Sequence, residues 1–210
     1  MIPVKPRQEP PAFDKLVRTP GNKFLAKCSN SISTREWLNH DYWKHSRKLL
    51  YEAYNGVCSY IAHWIPRSSN PNVDHFIPKS VRPDLAYEWN NYRLACPLVN
   101  TYKLNYQDVL DPFMLSKDWF FLDFPSLLTR PNPELPYQDQ QKIWATIKRL
   151  RLNEEVFVSD RSDWLKDYCQ GKKDLSVLKH EAPFIAYELE RQKLVEDIKI
   201  IMVYEPEVEE

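Results

Sequence analysis

Seventeen prolines set against three glycines limit where this 210-residue chain can run regular structure. Proline fixes φ and removes a backbone donor, so each one ends a strand, opens a helix or stiffens a loop. They cluster near the N-terminus and across residues 125–136, which points to extended arms or wrapping loops. Pro78 closes a strand, Pro97 fits the first position of a helix, and Pro183 bends or breaks a long helical stretch.

Between these stops the chain divides into three expected parts. Residues 1–32 read as a Pro-rich basic arm without clear periodicity. Ser33 and Glu36 form a capping box that opens a helix to about Tyr54, with Trp37, Tyr42, Leu49, Leu50 and Tyr54 on its buried side. Asn55-Gly56 stops it. Residues 57–65 alternate as a strand, 68–72 turn, and 73–77 return as a second strand. Residues 80–95 read mostly as loop, and a helix follows from Pro97 through Lys103, so residues 33–110 hold a helix plus a strand–strand–loop–helix core. Residues 111–210 form a helical region after an aromatic, Pro-rich connection at 113–136. Its helices are expected near 137–152, with a stripe of Ile143, Trp144, Ile147 and Leu150, near 160–169, and over 174–203. Glu205 to Glu210 make an acidic tail. The fold class expected is α+β, mainly α-helical.

Composition narrows the function classes. With 28% charged and 43% hydrophobic residues the chain reads as soluble and globular. It has no run of about 18 apolar residues, so no membrane span is expected. Its N-terminus lacks the apolar core of a signal peptide. Four widely spaced cysteines do not suit a secreted disulfide scaffold, which favours a cytoplasmic location. Formal net charge is zero, yet residues 1–50 carry ten Lys/Arg against four Asp/Glu, and residues 171–210 carry six against ten. The basic third could lie along a polyanion, while the neutral total argues against a strong autonomous nucleic-acid binder.

The chemistry-bearing pattern is Asp74-His75, then Asn91, then Asn100. Asp74 and Asn100 offer hard oxygen donors for one Mg²⁺ or Mn²⁺. His75, next in line, has the unperturbed basicity of a general base at neutral pH. A cation and a base together cut phosphodiester bonds. Lys79 and Lys103 could hold flanking phosphates.

The order DH on a hairpin, a central Asn and a terminal Asn followed by Lys103 resembles the HNH, or ββα-metal, nuclease family. The resemblance implies a small ββα-metal finger embedded among flanking helices, with Asn91 orienting the metal loop or His75 rather than touching metal. Many members carry two Cys-x-x-Cys pairs for structural zinc. The matching positions here are Cys58 and Ile61, then Cys96 and Val99, so each pair has lost its second thiolate. Two thiolates do not fill a tetrahedral site, and no zinc is expected. Ile61 and Val99 would brace the finger by apolar contact, helped by Tyr60 or Trp64, with Cys58 and Cys96 close together. His63 is a further donor nearby and still leaves the set incomplete.

A PVKPRQEPPAF opening, the DHFIPKS block, an LDPF segment and a late RLN-x-E helix are similar to the PtuB-type HNH proteins. These accompany an ABC/SMC-like ATPase in Septu and some retron antiphage defence systems. The resemblance implies an effector endonuclease, on DNA first and on RNA or tRNA as a variant, with such an ATPase as partner. The alternative is a catalytically inactive HNH-like assembly subunit, which the lost cysteines favour and the retained Asp74, His75 and Asn100 oppose. A general nucleic-acid-binding module fits the charge balance least.

Overall fold

Phe13, Val17, Gly21 and Phe24 recur at helical spacing, and in the computed structural model, which describes residues 1–28 and 31–202, all four are buried. Phe13 precedes and Val17 lies on a π-helical turn, Asp14–Arg18, that runs into α1 (Thr19–Leu25), which carries Gly21 and Phe24. The expected extended arm is therefore helical from Asp14 to Leu25. Pro20 stands in the first turn of α1, directly after the π-helical turn. Gly21 packs under Tyr87 so closely that a Cβ there would fall 2.1 Å from the ring.

The capping box forms: Glu36 N donates to Ser33 Oγ, and Ser33 N donates to the Glu36 carboxylate at 2.8 Å. The single helix expected from there to Tyr54 is instead α2 (Thr34–Asn39), a 3₁₀ turn Tyr42–His45, and α3 (Ser46–Ala53). The break falls at His40, whose ring takes the Glu36 carbonyl while its backbone leaves helical geometry.

The strand pairing also differs from expectation. β1 (Asn72–His75) pairs antiparallel with β2 (Tyr92–Ala95), with Asp74 opposite Arg93 and His75 opposite Tyr92. Residues 57–65 contribute only an isolated bridge, Val57 to Trp64. Between them the chain makes a knuckle closed by Ala62 at φ 53°, and Ser59 N donates to Leu94 O, docking the knuckle beside β2. The alternation read as a strand belongs to that knuckle. α4 (Pro97–Lys103) follows β2 directly, with Pro97 in its first turn.

The connection at 113–136 contains a second hairpin, β3 (Phe120–Asp123) with β4 (Leu128–Pro131). The helices after it are α5 (Tyr137–Arg149), α6 (Glu155–Cys169), α7 (Leu175–Glu181), α8 (Pro183–Arg191) and α9 (Ile198–Ile201). Ile143, Ile147 and Leu150 are buried, whereas Trp144 faces outward against expectation. The stretch 174–203 is broken at Pro183 and again before α9. Buried Glu188 on α8 accepts from Leu122 N and from Arg191, tying the hairpin to the helices. The class is mixed α+β and mainly helical. Among the described residues no helix is long and apolar enough to cross a membrane. The acidic stretch 205–210 lies outside the described residues.

Candidate active site

β1 and α4 bring Asp74, His75, Lys79 and Asn100 to the wall of one open cleft of about 360 Å³. Trp43 from the turn before α3, Thr101 on α4 and Asn105 after it also line the cleft.

His75 is held on three sides. Its Nε2 lies 2.9 Å from the Ala86 carbonyl oxygen. A carbonyl only accepts, so Nε2 carries the proton and Nδ1 is the basic nitrogen. The ring edge-packs against Trp43 at 5.0 Å and Tyr92 at 5.1 Å. Tyr92 OH donates to the same Ala86 oxygen at 2.7 Å. Burial, and then the Lys79 charge, pull the imidazole down to about 3, so it stays neutral throughout the physiological range and is a far weaker base than the unperturbed imidazole the sequence leads one to expect. Nδ1 makes no hydrogen bond among the described residues.

Asp74 is only 4% exposed. Its Oδ2 accepts from the Tyr60 hydroxyl, and its Oδ1 accepts from Lys103 Nζ at 3.0 Å. Lys103 is fully buried and spends its other two donors on the carbonyls of His75 and Phe76, both at 3.0 Å. This placement does not suit Lys103 to phosphate binding: its ammonium has no donor left and no solvent face. Lys79 is different. It makes no ion pair among the described residues, its Nζ lies 5.1 Å from the Trp43 ring centroid, and burial lowers its pKa while Asp74 raises it.

Asn91 stands outside the cleft lining and works on the backbone. Its Oδ1 accepts from Ile77 N at 2.8 Å, and its Nδ2 donates to Ile77 O and Leu85 O. It thereby closes the loop from His75 to Tyr92 and sets where Ala86 O meets His75. Asn100, on α4, makes no side-chain hydrogen bond among the described residues, which leaves its amide oxygen available.

The donor set fits a hydrated divalent ion. Asp74 and Asn100 supply hard oxygens in a polar cleft, and each carboxylate oxygen retains a lone pair after one hydrogen bond. Mg²⁺ commonly takes one or two protein oxygens and keeps several waters. Among the described residues no three His, Cys, Asp or Glu side chains group to hold a metal. Cys58 and Cys96 do lie together, with Cys96 N donating to Cys58 Sγ at 3.3 Å. Ile61 and Val99 are buried beside them in the core, and His63 is buried with both ring nitrogens unpartnered.

Three contributors escaped the sequence reading: Trp43, Tyr60 as a partner of Asp74, and the Ala86 carbonyl. None sits in the motif, and only tertiary packing brings them to it. Arg93 is a fourth, forked onto Asp111 at 2.8 and 2.7 Å and sandwiched between Phe76 and Phe113. Asp111 and Phe113 belong to the LDPF segment, whose aspartate and phenylalanine thus brace the back of β2. No protein-family model matches the chain, and no curated protein matches it.

Proposed function

We propose that this protein is a metal-dependent endonuclease of the HNH type, its finger formed by β1, β2 and α4. The observation that carries the reading is the meeting of Asp74, a neutral His75 with a free Nδ1, Lys79 and Asn100 in one cleft. Asp74 and Asn100 would hold one Mg²⁺ or Mn²⁺, which when bound neutralises charge on the scissile phosphate and its leaving oxygen. Lys79 holds the phosphate from the Trp43 side. His75 Nδ1 takes a proton from the attacking water, or from a ribose 2′-hydroxyl if the substrate is RNA. Ala86 O and Asn91 keep the imidazole aimed. DNA is the first substrate and tRNA the second. An ABC/SMC-like ATPase is the proposed partner, which suits a chain whose net charge is zero.

A second reading has its own observation. Lys103 and Tyr60 already satisfy both oxygens of Asp74, so the carboxylate is neutralised without a metal. On that basis the chain would be an assembly subunit that keeps the finger as structure. Cleavage of plasmid DNA and total tRNA, with Mg²⁺, Mn²⁺ or EDTA and with the partner ATPase, decides between them. Metal-dependent cutting that His75→Ala abolishes supports the enzyme. Absence of cutting by folded wild type in every condition supports the subunit.

A further inference from the structure

A second cluster of cations lies at the opposite end of β1 from Asp74. Arg47 and Lys48 on α3 and Arg67 before β1 line a hollow of about 150 Å³ together with Tyr51, Asn70 and Pro71. No carboxylate lines it. Arg47 and Arg67 make no ion pair among the described residues, and Lys48 reaches Glu52 only at 3.8 Å. Exposed cations normally gain little by being brought together, so three of them around one small concavity call for a counter-charge.

The hollow has a rigid floor. The Arg67 guanidinium lies 4.9 Å from the Tyr51 ring centroid, and Tyr51 OH donates to Ile65 O at 2.8 Å. The ring is pressed on Gly56, at φ 70°, where a Cβ would fall 2.6 Å from it. Any larger residue would lift the platform, so Arg67 presents its donors from a fixed base.

Its position is defined by β1. From Pro71 at the hollow to Asp74 at the cleft is about 10 Å at ~3.3 Å per strand residue. Trp43 at the cleft precedes Arg47 and Lys48 by about one helical turn, and the segment carrying Arg67, Asn70 and Pro71 runs directly into β1, which lines the cleft.

We infer that Arg47, Lys48 and Arg67 form an anchor for a backbone phosphate of the same nucleic-acid strand whose scissile phosphate enters the Asp74–His75 cleft. This rests on the nuclease reading for the strand's path, and not for the binding itself. The anchor reads no base, so it adds affinity without sequence preference.

The test is fluorescence anisotropy of labelled single-stranded DNA, duplex DNA and RNA in EDTA, titrated with salt. The wild type is compared with R47Q/R67Q and with K117Q/K193Q, which removes the same charge elsewhere. The inference expects R47Q/R67Q to weaken binding roughly tenfold at moderate salt and to lower the salt slope by about 1 to 2, with K117Q/K193Q near wild type. An unchanged affinity and slope in R47Q/R67Q overturns the anchor and leaves the nuclease reading intact. An equal loss in K117Q/K193Q also overturns it. Anchor-dependent binding by a wild type that cuts nothing with any metal upholds the anchor and removes the nuclease reading. A wild type that binds none of the three at low salt overturns both.

Discussion

Lys103 Nζ lies 3.0 Å from Asp74 Oδ1, and neither side chain has more than 4% of its surface exposed. A buried pair of this kind is costly to break, because removing one partner strands the other charge. Lys103→Met should lower stability by about 3 kcal/mol or more, seen as a fall in the urea midpoint. The double variant Asp74→Asn with Lys103→Met should recover much of that loss. Equal midpoints for Lys103→Met and wild type would show that the pair does not exist in solution.

Asn91 makes three hydrogen bonds to the backbone of one loop. Asn91→Ala should cost about 2 to 4 kcal/mol, since buried backbone groups lose their partners. Amide exchange should speed up at Ile77 before it does in α5. Exchange unchanged at Ile77 would remove the loop-closing role.

His63 gives the fold an acid limit. Burial, and then the Arg161 charge, pull its pKa down to about 3, while the unfolded chain titrates near the ordinary 6.5. Between those values the unfolded state binds more protons, so stability rises with pH across that window. It is complete above about 6.5 and is lost as pH falls towards 3, at about 1.4 kcal/mol per pH unit. His63→Gln should flatten the pH dependence of the urea midpoint between pH 4 and 7. His75 shifts in the same direction and leaves a residual slope. A slope identical in both proteins would sink the assignment to His63.

Gly21 meets the Tyr87 ring with no room for a methyl group. Gly21→Ala should therefore destabilise by about 1 to 3 kcal/mol, despite alanine's better helix propensity. A rise in Tm would mean that α1 packs elsewhere.

These sites also show what the chain reveals before it folds. The Ser33–Glu36 box and the Pro97 helix start were legible because their signals are local, a cap and a first-turn proline. The pairing of β1 was not. Tyr92–Ala95 is buried at every position, so it lacks the alternation that marks a half-buried strand. Residues 57–65 carry alternation without being a strand. The meeting of Asp74, His75 and Asn100 in one cleft is what the resemblance to the HNH pattern implies, whereas Lys103, expected to hold a phosphate, lies in the interior. Its burial depends on α4 packing its last turn against the single stretch 74–76, whose Asp74 carboxylate and His75 and Phe76 carbonyls take all three of its donors, which no periodicity encodes.

The Ala86 carbonyl accepts from both His75 Nε2 and Tyr92 OH. Two donors on one acceptor make the inner side of the imidazole a dead end for protons. The inner nitrogen always holds its hydrogen and has nothing beyond it able to pass one on. A proton that arrives at Nδ1 must leave by the face it entered. On the proposed nuclease reading, each proton taken by Nδ1 would return to the solvent or product in the cleft, and none of it would pass through the protein behind.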